Sequence, residues 1–437
     1  MRRKLAPVPD AFPLDVHPWR TELYEELHSR PSPLVETPCT ISHIAVQISH
    51  AERGAELAHL ADLCRQFDIE PPLASASCFY QTLGRFELRW ERHTEFSTYT
   101  FIRRVTENPL REPSALSHIP AKWLHEMPGQ VTTALHLAFN AAEGPPEPAE
   151  LDRYFERQAL RGGVVRQGTA YLYSSFRLHS DGFARVVLQA SDLTRLQAGR
   201  LVQRVLEIET YRVMALLALP VARQITPEVG AMERELARVN EALTDANEET
   251  NQHTLLDELS NLAARVERMR SDTTYRFAAT NAYYDLVRER NQELTEEKIP
   301  GLQPIHVFIK RRLAPGIRTC NAVRDRLDDL SRRISQTSSL LRARVELSIQ
   351  GQNRELLESM NRRSETQLRL QQAVEGLSVV AITYYLMGLL SYLYEGVAWA
   401  GWPWSKKLTF AVAVPVIMLV AWRIIHGVKR RVHRPSR

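Results

Sequence analysis

Two long apolar segments stand out in the pattern of hydrophobic and polar positions, and both lie near the C-terminus. Residues 377–394, LSVVAITYYLMGLLSYLY, contain no charged side chain. As a helix they extend about 27 Å, close to the roughly 30 Å hydrocarbon core of a bilayer. Residues 408–425 reach a similar length if the side chain of Arg423 extends to the interface. The pattern predicts an integral membrane protein with two transmembrane helices within residues 376–426; the alternative is a buried hairpin of a soluble domain.

The residues that flank the two segments predict their orientation. Trp399, Trp402 and Trp404 lie between the segments, where an interfacial belt of aromatic side chains is expected. The loop between the segments carries two basic residues, Lys406 and Lys407, whereas basic residues are more frequent on the other side. Those residues are Arg354, Arg362, Arg363, Arg369, Arg423, Lys429, Arg430, Arg431, Arg434 and Arg437. The positive-inside rule therefore predicts that both termini are cytoplasmic.

Alternating polar and apolar residues and β-rich composition predict strands in the first part of the chain. The strand-like stretches are TISHIAVQIS, SCFYQTL, RFELRWERHTEFSTYTFIR, VTTALHLAF and TAYLYSSFRLHSDGFARVVLQ. Gly84 and the charged run near Arg92 indicate a pair of strands joined by a tight turn, and Asp181-Gly182 is a hairpin signal. An amphipathic helix follows the first stretch. Residues 1–190 are therefore predicted to form an N-terminal cytoplasmic α+β domain with a mixed sheet.

After residue 190 the chain is nearly free of glycine and reads as helix. Residues 191–375 are predicted to form a long antiparallel helical stalk, and residues 427–437 a basic cytoplasmic tail. The last stalk helix is expected to start near Cys320 and to continue into the first apolar segment. Its apolar positions, mostly spaced by three, four or seven, are Leu327, Leu330, Ile334, Leu341, Val345, Ile349, Leu356, Met360, Leu370 and Val374. Such a helix needs partners, which the preceding helix and neighbouring subunits can supply.

Composition and charge narrow the possible function classes. Apolar residues make up 44% and charged residues 24% of the 437, so most of the chain reads as globular and the membrane signal is local. The net charge of +5 is small, and the basic tail favours a topology signal over nucleic-acid binding. Four cysteines without CxxC spacing indicate neither a zinc site nor a disulfide framework. The N-terminus lacks the apolar core of a secretory signal.

A first polar cluster lies near the N-terminus, in ELHSRP. Glu26, His28 and Arg30 place a carboxylate, an imidazole and a guanidinium within five residues, a set that can bind an anion or relay a proton. The alternative is the end of a helix, where His28 and Arg30 favour the negative end of the dipole and Pro31 stops the helix.

The densest polar cluster is WERHTEF. In a strand, Glu91, His93 and Glu95 share one face and could ligate a divalent cation. His43, on an earlier strand, joins them if the two strands are neighbours. The alternative is a solvated strand face with cross-strand ion pairs.

Motifs of standard catalysis are missing from the sequence. It contains no GxSxG, P-loop, GxGxxG, HExxH or kinase signature, and Gly162-Gly163 is too isolated for a phosphate cradle. We therefore predict that the protein is not an enzyme. No cofactor is predicted, and a divalent cation is the one candidate ligand.

Polar residues interrupt the first apolar segment. Thr383, Tyr384, Gly388, Ser391 and Glu395 lie in or beside it. Polar groups in a membrane helix tend to face a bundle interior or a water path, and a glycine permits close helix packing. A ring of glutamates at the outer mouth would attract cations. These five residues are the candidate pore-lining or selectivity residues.

Several blocks resemble a bacterial family of membrane-anchored proteins of unknown function. They are ELHSRP, WERHTEF, LEIETYRVMALLALP, RRLAPGIRTC and QLRLQQAVEGLSVVAITYYLMGL. The resemblance extends from about His17 to the second apolar segment. It implies bacterial origin and an inner-membrane location, and it names no activity.

The order of elements is similar to that of the CorA superfamily of divalent-cation channels. Those proteins are homopentamers with an α/β domain, a stalk helix that runs into the pore-lining first span, and a second span. Their Gly-Met-Asn signature is replaced here by Tyr394-Glu395-Gly396. Two hypotheses follow: a homo-oligomeric cation channel or transporter of CorA-like architecture, or a non-conducting membrane anchor that recruits a cytoplasmic protein partner.

Overall fold

A mixed β-sheet organises the first part of the protein. The computed structural model describes residues 15–20, 23–24, 31–245, 249–398 and 405–432. Within them the sheet has nine strands: β1 Cys39–Gln47, β2 Cys78–Leu83, β3 Phe86–Arg92, β4 Phe96–Arg104, β5 Gln130–Asn140, β6 Arg161–Val165, β7 Ala170–Leu178, β8 Ala184–Gln189 and β9 Glu297–Lys298. Their spatial order is β2-β3-β4-β1-β5-β8-β7-β6-β9. The β5–β8 pair is parallel and the other pairs are antiparallel, so the predicted mixed sheet is confirmed.

The α-helices of the described residues lie between the strands and after them along the chain. They are α1 Arg53–Gln66, α2 Ala121–His125, α3 Pro148–Tyr154, α4 Arg195–Leu216, α5 Ala218–Asp245, α6 Glu249–Glu293, α7 Ile305–Ala398 and α8 Lys406–Val432. Long helices therefore follow β8, as the sequence predicts. The start predicted near Cys320 is wrong, because α7 begins fifteen residues earlier and continues through Pro315.

Strand β1 is central and is covered on both faces, which explains why it is almost entirely buried. On one face Ile41 packs in a core cluster with Leu201 of α4. On the other face Ile44 packs with Leu60 and Trp90, from α1 and β3. Because both faces are covered, the polar residues Thr40, Ser42 and His43 of β1 are buried along with its apolar residues.

Two glycines mark places where the backbone is approached closely. A Cβ atom at Gly199 of α4 would lie 1.7 Å from the carbonyl oxygen of Pro33, so only glycine fits there. A Cβ atom at Gly163 of β6 would lie 2.3 Å from Cγ of Glu296. The Gly162-Gly163 pair thus serves packing within β6, a strand that the sequence analysis did not predict.

Helices α6 and α7 run antiparallel, as cross-helix hydrogen bonds show. The side-chain amides of Asn281 and Asn321 bond reciprocally at 2.8 and 3.0 Å. Arg270 donates to Asp328 at 2.9 Å, and Ser331 donates to Glu267 at 2.6 Å. The residue numbers of the bonded partners fall along α7 as they rise along α6. The two helices therefore run antiparallel, as the sequence predicts for the stalk.

The chain packs into two compact units. The first comprises the described residues of 1–242 and 258–336, and the second those of 243–257 and 337–437. The predicted boundary at residue 190 falls inside the first unit, because α4 packs directly on the sheet.

The apolar positions of α7 fall into two groups. Leu327, Leu330, Ile334 and Leu341 are buried. Further along the same helix the apolar side chains are between 49% and 69% exposed: Ile349, Leu356, Met360, Leu370 and Val374. The apolar repeat of α7 therefore continues beyond the buried part of the helix. The apolar face that it forms there has no partner among the described residues.

Two helices of the second unit are apolar and long enough to cross a membrane. Their most apolar windows lie in α7 and α8, and 0% and 6% of the windows are buried. A core helix of a soluble domain would be mostly buried, so the alternative of a buried hairpin has no support among the described residues.

Candidate functional site

The structure brings several of the predicted site residues to one cavity in the first unit. The cavity has a volume of about 220 Å³ and lies between the sheet and α4. His43, Glu91 and His93 line it from the sheet side, because β1 and β3 both pair with β4. His43 therefore lies at the same cavity as Glu91 and His93, although β4 separates their strands and the predicted pairing of neighbouring strands is not found. Glu95 does not line the cavity.

His43 is the most enclosed of these groups. Its Nδ1 lies 2.8 Å from Oγ1 of Thr100, and its Nε2 lies 3.0 Å from Oγ1 of Thr210 on α4. Burial, with smaller contributions from the electrostatic effects of His93 and Arg89, lowers the pKa of His43 to about 3. The imidazole is therefore neutral at physiological pH, with one nitrogen donating and the other accepting.

Two ion pairs face the cavity from opposite walls. On the sheet, the buried guanidinium of Arg89 donates to Glu91 at 2.8 Å and to the carbonyl oxygen of Pro31 at 3.0 Å. On the helical side, Arg290 of α6 donates to Glu207 of α4. Each wall thus carries one positive and one negative charge.

Glu95 points elsewhere because the chain turns between β3 and β4. The N–H of His93 donates to the carbonyl oxygen of Phe96 at 2.8 Å, so WERHTEF is a strand end and a turn rather than one strand. Glu95 forms an ion pair with Arg276 of α6. The turn therefore separates Glu95 from Glu91.

The predicted metal ligands do not form a metal-binding group in the structure. Among the residues that it describes, no three His, Cys, Asp or Glu side chains lie in a set that could hold a metal ion. Both nitrogens of His43 already face hydroxyl groups, and Glu91 is bonded to Arg89. The other predicted cluster, Glu26, His28 and Arg30, lies outside the described residues.

The lowered pKa of His43 predicts a pH-dependent stability. An unfolded histidine titrates near 6.5, whereas folded His43 titrates at about 3. The unfolded chain therefore binds an extra proton between these values, and stability falls as the pH drops from 6.5 towards 3. We expect a loss of about 1.6 kcal/mol between about pH 6.5 and pH 5 from this group.

Urea denaturation of the detergent-solubilised protein at several pH values measures this loss. The His43→Gln variant should lose much less stability than the parent over the same range. His50→Gln changes an exposed histidine and should retain the parental slope. An unchanged slope in His43→Gln would contradict the assignment.

The residues that line the cavity from the helices are not predicted by the sequence patterns. Gln203, Glu207 and Thr210 lie on one face of α4 at spacings of four and three. One signal was available: Glu207 lies among apolar residues of α4. How α4 meets the sheet depends on pairing between distant parts of the chain, which local patterns do not encode.

The polar residues of the first apolar segment divide into two faces. Tyr384, Gly388, Ser391 and Glu395 alternate by four, three and four residues, so they lie within about 60° of one another on α7. Thr383 lies about 100° from this group, and its hydroxyl donates to the carbonyl oxygen of Val379 at 2.7 Å. Four of the five candidates therefore form a single stripe, and Thr383 is satisfied within its own helix.

The second apolar helix packs beside this stripe rather than on it. The partly covered side chains of the segment, Thr383, Met387, Leu390 and Tyr394 among them, follow the face that carries Thr383. Tyr394 makes an edge contact with Phe410 of α8, with ring centroids 6.4 Å apart. Near the end of the segment Lys406 donates to Glu395 at 3.0 Å. Tyr384, Gly388 and Glu395 remain exposed.

Comparison with known proteins identifies the chain at the level of its family. A family described as "Protein of unknown function (DUF3422)" matches residues 15–432. The search of curated proteins found no match. The resemblance to a family of unknown function, drawn from the sequence blocks, is confirmed. Because the match covers nearly the whole chain, the protein belongs to the DUF3422 family of proteins of unknown function.

Proposed function

We propose that the protein is a homo-oligomeric bacterial inner-membrane protein in which the first apolar segment of each subunit lines a path for cations. The observation that carries the proposal is one uninterrupted heptad stripe along α7. Its members alternate by four and three residues: Ile349, Asn353, Leu356, Met360, Arg363, Gln367, Leu370, Val374, Leu377, Ala381, Tyr384, Gly388, Ser391 and Glu395. We call this set the heptad stripe.

The heptad stripe supports self-association. Alternating spacings of four and three are the pattern of a left-handed coiled coil, in which the stripe of one helix packs on that of another. Leu356 is 60% and Leu370 is 69% exposed, so the described chain covers neither. Asn353, Arg363 and Gln367 interrupt the apolar members, and polar groups at such positions select register and oligomer number.

The same stripe supports a path within the membrane. If α7 helices meet along it before the apolar segment, the continuing register directs Tyr384, Ser391 and Glu395 towards the common axis. Tyrosine and serine hydroxyls can replace water around a passing ion, and a carboxylate ring raises the local cation concentration. Two helices from one chain cannot enclose such a path, so three or more subunits are required, and five follow from CorA-like architecture.

The rival proposal is a non-conducting anchor that recruits a cytoplasmic protein. One contact favours it: the Glu395 carboxylate is already paired with Lys406, and a neutralised ring would attract cations weakly. Both groups are more than half exposed, so this ion pair contributes little stability and can open.

Cation flux into proteoliposomes tests the path. The purified protein is reconstituted, and Mg²⁺ and K⁺ uptake is followed with ion-sensitive dyes against empty vesicles. We expect uptake with the parent and at least an about tenfold fall with Glu395→Gln, because the mouth loses its negative charge. Glu375→Gln is the matched control, since Glu375 lies on the same helix about 160° away from Glu395.

The flux result separates the two proposals. Uptake that falls in Glu395→Gln but not in Glu375→Gln supports conduction. A parent that passes neither ion while remaining a large oligomer supports the anchor, in which the stripe serves assembly alone.

A further inference from the structure

One member of the heptad stripe carries a positive charge, Arg363. Met360 precedes it by three residues and Gln367 follows it by four, so Arg363 keeps the register of the stripe. Within the described part of the chain its side chain is exposed and forms no ion pair. An arginine at a position that packs between helices of a coiled coil needs a negatively charged partner, because its charge is otherwise removed from water.

The carboxylates of this part of α7 lie away from the stripe. Glu358 precedes Arg363 by five residues and Glu365 follows it by two, which places them about 140° and 160° from it around the helix. Glu355 is eight residues earlier, about 12 Å along the axis. In a parallel assembly the same residues of a neighbouring subunit lie at the same heights and also face outwards. Neither its own helix nor a neighbouring one therefore supplies Arg363 with a carboxylate.

Association along the heptad stripe brings the Arg363 side chains of all subunits to one level of the common axis. Like charges that approach one another away from bulk water are costly unless an opposite charge lies between them. Ser359 and Ser364 lie beside the stripe at this level, and Gln367 forms the next layer of the stripe. Their hydroxyl and amide groups can donate hydrogen bonds but carry no charge. The missing negative charge therefore comes from solution.

We propose that the Arg363 layer of the assembled protein binds one multivalent oxyanion, a free phosphate, on its axis. Guanidinium groups bind oxyanions through pairs of parallel N–H···O bonds, which a halide ion cannot accept. Arg363 lies fourteen residues before Leu377, about 21 Å from the start of the apolar segment. Lipid headgroups extend only roughly 5–8 Å beyond the hydrocarbon core, so a lipid phosphate does not reach this layer. The inference rests on the proposed homo-oligomer.

Phosphate titration combined with chain counting tests the proposal on the unmodified chain. Calorimetry of the full-length protein in detergent, in phosphate-free buffer of low ionic strength, measures the affinity and stoichiometry for inorganic phosphate. Native mass spectrometry of the same sample counts the chains. We expect one phosphate per particle, and therefore a fraction of one per chain, because the site lies on the axis. Chloride should bind at least about tenfold more weakly, and added phosphatidylglycerol should not compete with phosphate.

A matched pair of variants locates the site. Arg363→Gln introduces the side chain already present in the next layer, and it should weaken phosphate binding at least about tenfold with the number of chains unchanged. Arg362→Gln removes the same charge from the neighbouring exposed position, about 100° away around α7, and should bind phosphate as the parent does.

The outcomes separate this inference from the proposed assembly. A particle of three or more chains overturns the inference alone if it binds no phosphate, binds one phosphate per chain, loses phosphate to phosphatidylglycerol, or binds normally as Arg363→Gln. A particle of one or two chains contradicts the proposed assembly, and the inference with it. If Arg363→Gln does not assemble, the stoichiometry measured on the unmodified chain decides.

Discussion

Replacing Glu56 with alanine is expected to destabilise the first unit by about 3–5 kcal/mol. The Glu56 carboxylate is fully buried in α1 and accepts hydrogen bonds from Nε1 of Trp90 at 2.9 Å and from the hydroxyl of Tyr99 at 3.3 Å. It also pairs with Arg92 at 3.2 Å. Truncation leaves two buried donors and a largely buried guanidinium without their shared acceptor.

Thermal and urea denaturation of the purified chain measure this effect. Glu56→Gln keeps an acceptor for Trp90 and should lie between the parent and Glu56→Ala. Glu70→Ala removes an exposed carboxylate shortly after α1 and should change stability by less than about 0.5 kcal/mol. A loss of stability below about 1 kcal/mol in Glu56→Ala would show that this carboxylate does not anchor α1 to the sheet.

Glu56 also illustrates how far local patterns reach. It lies four residues before Leu60 and seven before Leu63, so its spacing places it on the buried face of α1. The helix itself is predictable from that spacing. The partners of Glu56 are not, because Trp90, Arg92 and Tyr99 come from strands that reach α1 only through the tertiary fold.

The same distinction applies to the sheet. Strands with clear alternation and turn signals, such as those around Asp181-Gly182, are predicted correctly. Strand β6 is not, because Gly162 and Gly163 have low strand propensity. A Cβ atom would meet the carbonyl oxygen of Leu172 at Gly162 and the side chain of Glu296 at Gly163. The start of α7 was also missed, since a proline inside a helix normally signals its end.

The candidate site shows most clearly what local sequence patterns cannot predict. His43 comes close to Glu91 and His93 because β1 and β3 lie on either side of β4, although the two strands are not themselves neighbours. The turn at His93 removes Glu95 from that group. The opposite wall, with Gln203 and Glu207, depends on how α4 lies on the sheet, which no local pattern specifies.

Replacing two members of the heptad stripe with aspartate is expected to dissociate the oligomer. Leu356→Asp with Leu370→Asp places a charge at two positions that we propose to be buried between subunits. Each leucine contributes about 1.5–3 kcal/mol when buried, and an unpaired carboxylate there adds a further cost. The particle should shift from an oligomer to single chains, as measured by light scattering in detergent.

The matched control lies on the same helix. Leu347 and Leu368 are also exposed leucines, at 67% and 52%, and they lie on the side of α7 away from the stripe. Leu347→Asp with Leu368→Asp should leave the particle unchanged. Equal behaviour of the two double variants would mean that the stripe has no special role in association.

The number of chains in the detergent-solubilised, unmodified particle tests the central claim most directly. Native mass spectrometry of the full-length protein gives this number without any substitution. The proposed path requires several α7 helices around one axis, so we predict three or more chains, and five if the architecture follows the CorA channels. A particle of one or two chains would contradict the account, because two or four apolar helices enclose too little space for an ion path.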